Sequence, residues 1–243
     1  MGIIRWWLLI LINLIMFGLF EGLGLAGTIV GSYHDLAFVD DVHLQSTWGI
    51  VMYDHYDQVC VYCHTPHNAN SNVQLLWNRQ LPDPGSYSLY TSPTLKATPQ
   101  APSPVSLLCL SCHDGTIALD KVLNVPGGAA LGSRHGSMTL TFSNVYDCIA
   151  CHYPGEFLYN GIDLSATFFG TDLSDDHPVS IEYSVNDPSL VPRPVNGIFP
   201  NGIKLIDNQV ECVSCHSVHD PDNRPFLRIA DSGSALCYTC HIK

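Results

Sequence analysis

The pattern of apolar and polar positions divides the chain into a short leader and a long remainder with little periodicity. Trp6 to Phe20 is apolar except for Asn13 and Gly18, and only Arg5 among the preceding residues carries a charge. Glu21 and the small-residue sequence GLGLAG follow, offering a cleavage point near Ala26 or Gly27. This is the layout of a secretory signal peptide, residues 1–26. An uncleaved anchor is the alternative, but no positive cluster flanks the run to hold it in a membrane. Beyond the leader no helical periodicity is sustained for more than a few turns, and one short alternation, Met138 to Phe142, reads as a strand. Proline recurs through 71–108 and again through 153–209, which predicts extended loop in both stretches. The expected fold is therefore mostly irregular, with short helices and few short strands. Residues 27–243 form one domain, within which 120–155 reads as an inserted unit.

A core must still come from somewhere, and the cysteines suggest its source. All ten lie in one pattern, Cys-x-x-Cys-His, repeated at Cys60–His64, Cys109–His113, Cys148–His152, Cys212–His216 and Cys237–His241. With this composition about 0.02 copies are expected by chance. Two thiols three residues apart can add to the vinyl groups of one haem while the next imidazole reaches its iron. Zinc cages would require the pairs to face one another and would leave the fifth pair and every histidine unexplained. Disulfides within Cys-x-x-Cys are small, strained loops better suited to redox exchange than to a structural staple. Five haem c groups are the expected cofactors, attached at Cys60, Cys63, Cys109, Cys112, Cys148, Cys151, Cys212, Cys215, Cys237 and Cys240. Their porphyrins would form a closely packed chain supplying much of the buried apolar surface.

Five of the twelve histidines, His64, His113, His152, His216 and His241, are the proximal ligands of these motifs. Seven remain for five second positions, so histidine on both sides of every iron is the expected arrangement. The preferred five are His34, His67, His135, His177 and His219, with His43 and His55 in reserve. Geometry restricts two of them. Thr65-Pro66 is too short to carry the chain around a porphyrin, so His67 cannot complete the iron that His64 ligates. The same holds for His219 and His216. Each must serve another haem, which draws haems into close pairs. His135 arrives in the same insertion as the third motif, and Pro178 holds His177 extended beside Asp175 and Asp176.

The formal charge of −12 argues against a nucleic-acid partner, which requires a basic footprint. Beyond that it selects no partner. The words GSYHDL, CVYCHTPHNA with LWNR, CLSCHDGTIALD, DDHPVSIEY, VECVSCHSVHD with PFLR, and LCYTCH together resemble the doubled-CxxCH multihaem c-type cytochromes, including subunits of extracellular cytochrome filaments. The common form of that pattern has four haems, and residues 120–155 add a fifth. The resemblance implies that the histidines of the SYHD, TPH, HPVS and VH words, here His34, His67, His177 and His219, are distal ligands. It also implies head-to-tail polymerisation in which a histidine of one subunit, with His34 as the candidate, ligates a haem of the next.

The function expected is electron transfer without catalysis, in an exported protein at the cell surface or beyond it, or in the periplasm. Its partners would be further copies of itself and redox proteins or extracellular acceptors, with no stable membrane anchor after cleavage. The alternatives are a monomeric periplasmic shuttle and a multihaem reductase. A reductase needs an open coordination position, whereas candidate imidazoles here outnumber irons, and no motif replaces the proximal histidine by lysine. A haem-based sensor would need an output module, and the sequence contains no recognisable one. A subunit of a larger respiratory complex would leave no readable mark.

Overall fold

The computed structural model describes residues 27–36, 58–117, 121–125 and 168–242. The leader, His43, His55, His135, the Met138–Phe142 alternation and the motif Cys148–His152 lie outside the described residues.

Within them the backbone is mostly irregular. The helices are α1 (Pro104–His113), α2 (Cys212–Cys215) and α3 (Ala235–Tyr238), with 3-10 turns at Pro84–Ser86 and Ser232–Ser234. One antiparallel pair joins β1 (Ile181–Glu182) to β2 (Gln209–Val210), with Ile181 opposite Val210.

Helix α1 starts where the sequence provides a start signal. Ser103 accepts a hydrogen bond from the Val105 amide on its side-chain oxygen (3.2 Å), and Pro104 occupies the first turn, where a missing N–H costs nothing. The extended segment expected over 71–108 therefore ends at Ser103. Proline there opens a helix instead of prolonging a loop. At the other end the Asp114 amide closes on the Leu110 carbonyl (3.0 Å), and Gly115 turns the chain away at φ 73°, where a side chain would be strained.

Apolar side chains gather in three small clusters. Tyr87, Leu107, Leu110 and Leu173 form one; Tyr183, Phe199, Ile203 and Leu205 form another; Val61 and Tyr62 form the third. Tyr87 anchors the first proline-rich loop, since its hydroxyl donates to Asp114 (2.5 Å) beneath α1. Leu110 is 2 % exposed, so Leu110→Ala is expected to cost about 2–5 kcal/mol of unfolding free energy, read from the denaturant midpoint of the haem-loaded protein.

A buried polar chain joins the two halves of the described fold. The Ser103 amide donates to Ser180 Oγ (2.7 Å), whose own hydrogen goes to Glu211 Oε2 (2.9 Å). From the other side the Cys212 amide donates to Ser106 Oγ (3.3 Å), and Ser106 passes its hydrogen to the same carboxylate oxygen. Glu211 thus fastens α1, the residue before β1 and the start of α2 at one point.

Candidate haem-attachment sites

Each described motif is a single tight turn. The His64, His216 and His241 amides donate to the carbonyls of Cys60, Cys212 and Cys237 at 2.8, 3.1 and 2.9 Å, while the second motif forms the last turn of α1. One helical turn brings residues three and four apart onto the same side, so both sulfurs and the imidazole of a motif can address one ligand. The eight described cysteines are free thiols, joined in no disulfide.

Two motifs sit in equivalent cradles. After Cys60–His64 the chain returns so that Asn78 N donates to Cys63 O (2.9 Å), Thr65 N to Leu76 O (2.9 Å), and His64 Nδ1 to Leu75 O (2.6 Å). After Cys212–His216, Arg228 N donates to Cys215 O (2.8 Å), Ser217 N to Phe226 O (2.7 Å), and His216 Nδ1 to Pro225 O (2.9 Å). Leu76 and Phe226 both take positive φ, 52° and 61°, at the matching bend. Asn78 Nδ2 and Arg228 Nε even reach the same carbonyl of each motif, Val61 O and Val213 O, both at 2.7 Å. A carbonyl can only accept, so each Nδ1 carries the hydrogen and each Nε2 keeps its lone pair for a metal. His177 is fixed alike, its Nδ1 donating to Pro178 O (3.1 Å) and to neither neighbouring aspartate. The last motif is held by the 189–191 segment, with Ile242 N on Ser189 O and Val191 N on Cys240 O, both at 2.8 Å.

Histidines predicted as distal lie opposite histidines predicted as proximal. His34 and His113 have ring centres 5.9 Å apart, His64 and His219 6.2 Å, and His177 and His241 6.4 Å. Two imidazoles bound at about 2 Å on opposite faces of one metal would have ring centres roughly 6.3 Å apart, so all three separations suit a shared iron. His219 therefore faces the first cradle from the second. His67, its positional equivalent in the first cradle, is exposed. His34 also packs on Phe226 at 4.5 Å, and its buried Nδ1 has no hydrogen-bond partner. Burial, then the neighbouring His113, His216 and His219, hold its pKa down to about 4. It is therefore neutral at pH 7, as a ligating imidazole must be. Trp77 stands edge-on to His64 at 5.7 Å.

The described attachment turns follow one another through their thiols. Burial and then Cys112 push the Cys63 thiol up to about 12, linking the first turn to the second. The neighbouring thiols of Cys109 and Cys212 act on each other, raising Cys109 and lowering Cys212, and so link the second to the fourth. Burial and then Cys215 hold Cys240 at about 11, linking the fourth to the fifth. Thiols held this high stay protonated at neutral pH and are poor nucleophiles toward anything but a ligand delivered to them.

The donor set suits haem c. Paired thiols on a turn, imidazoles with Nδ1 tied back, and a second imidazole opposite would together hold the porphyrin edge and both axial positions of its iron. Sequence reading passed over Asn78, Arg79, Ser106 and Glu211, which shape these sites. All four are nearly inaccessible, and polar residues next to a Cys motif or inside an apolar word such as LLWNR were the available signal.

Repeated turns of this kind are the mark of a multihaem c-type cytochrome. Residues 206–243, which contain the last two motifs, match the family model of the doubled CXXCH motif, and that match supports this class and covalently bound haem c. No curated protein matches the chain.

Proposed function

We propose that the chain is an exported electron-transfer protein carrying five haem c groups, each with histidine on both faces of its iron. The carrying observation is the set of three imidazole pairs at 5.9, 6.2 and 6.4 Å. Bound haem would supply a one-electron iron couple; the chain fixes the imidazoles and sets the attachment turns side by side. By the equivalence of the cradles His67 is assigned to the iron of His216, and within the insertion His135 remains the preferred second ligand. With no coordination position left open, the protein carries electrons and does not reduce a bound substrate.

Head-to-tail polymerisation into an extracellular filament is part of the proposal and follows the resemblance of the chain's words to filament subunits. One observation favours the second reading, a discrete periplasmic shuttle: His34 lies against His113 of its own chain. A filament would then draw its crossing histidine from elsewhere, with His43 and His55 as the reserves. Electron microscopy of the purified haem-loaded protein separates the two. Helical filaments are expected, and discrete particles with every iron ligated from its own chain would establish the shuttle. Binding of carbon monoxide by the reduced protein at neutral pH would expose an open iron and return the reading to catalysis.

A further inference from the structure

We propose that Arg79 is a buried charge that raises the electron affinity of the haems attached at Cys60–His64 and Cys109–His113 above that of the haem attached at Cys212–His216. The inference rests on the haem reading above. Arg79 is 0 % exposed. Its terminal nitrogen donates to Ser111 O (3.1 Å) and Ile117 O (3.5 Å), on either side of His113. Its neighbour Asn78 donates to Cys63 O (2.9 Å) and Val61 O (2.7 Å), which sets Arg79 beside the first attachment turn. The Arg79 backbone is fixed as well, through the Asn70 side-chain Nδ2 donating to Arg79 O (2.9 Å) and a bridge to Val122.

A guanidinium keeps its charge at every accessible pH, and away from water that charge is weakly screened. Reducing ferric to ferrous iron adds one negative charge to a site. A fixed positive charge beside it therefore favours the reduced form. The other buried charges sharpen the contrast. Glu211, next to Cys212, brings a carboxylate to the fourth attachment turn, while Arg228 there is only half-buried and better screened. Asp114, next to His113, offsets part of the Arg79 field at the second turn. The largest effect is thus expected at the haem of Cys60–His64.

The test uses the full haem-loaded protein and its Arg79→Gln and Arg79→Lys variants, with haem content measured first and an optical redox titration after. Arg79→Gln is expected to weaken electron binding at one or two haems about tenfold, ~59 mV for a one-electron couple. Arg79→Lys is expected to keep the wild-type curve. An Arg79→Gln protein with its full haem complement and an unchanged titration would overturn the inference. Should that variant fail to load haem, the wild type decides by an NMR-resolved titration. The haem of Cys60–His64 must be reduced before that of Cys212–His216, and the reverse order overturns the inference. A wild type without haem would overturn the functional reading, and this inference with it.

Discussion

Replacing His219 with glycine is expected to turn one haem per chain from low-spin to high-spin and to let the reduced protein bind carbon monoxide at that site. The imidazole of His219 stands 6.2 Å from that of His64, whose Nδ1 is committed to the Leu75 carbonyl. On the proposed bis-histidine arrangement, removing it would leave His64 as a single axial ligand. The side chain is exposed and belongs to none of the apolar clusters, so the fold loses little with it. The spectral change should therefore appear in a protein that still carries its full haem complement and unfolds at nearly the wild-type denaturant concentration. A His219→Gly spectrum identical to the wild type would remove His219 from the ligand set. It would also dissolve the argument that each cradle completes the iron of the other.

The second large effect is one of stability. Glu211→Ala is expected to cost about 3–5 kcal/mol, because two buried hydroxyls lose their common acceptor at once. The Ser106 and Ser180 oxygens already receive the Cys212 and Ser103 amides, so their hydrogens have no alternative partner within this chain of bonds. Glu211→Gln keeps one oxygen acceptor and should cost less. The comparison is made on denaturant midpoints of haem-loaded protein at constant m-value, which separates a loss of stability from a change in compactness. Equal midpoints for wild type and Glu211→Ala would show that the carboxylate holds nothing together.

What the sequence made legible was local. Cys60–His64 and its counterparts are recognisable because one turn of chain dictates the spacing of two thiols and an imidazole. His34, His177 and His219 stood out as spare imidazoles in recognisable words. The short Thr65-Pro66 link argued by reach alone against His67 as a second ligand to an iron held at His64. Their pairing was not legible, since His34 meets His113 and His64 meets His219 across long stretches of chain whose folding no periodicity announces. Helix α1 escaped notice because Pro104 looked like one more loop proline until its serine cap was seen to make it a helix start. Arg79 and Arg228 end similar words, yet the structure matches Arg228 to Asn78: the equivalence lies in the backbone register.

The two cradles also carry a consequence for how the protein is made. The first is laid down early in synthesis, yet the imidazole opposite its own arrives some 150 residues later, on the second. Contacts so distant along the chain form slowly, because a long loop must close before anything is gained. Until then the first turn offers a ligand half-gripped. A chain halted before Glu211 would keep its early attachment turns but lack both that carboxylate and His219.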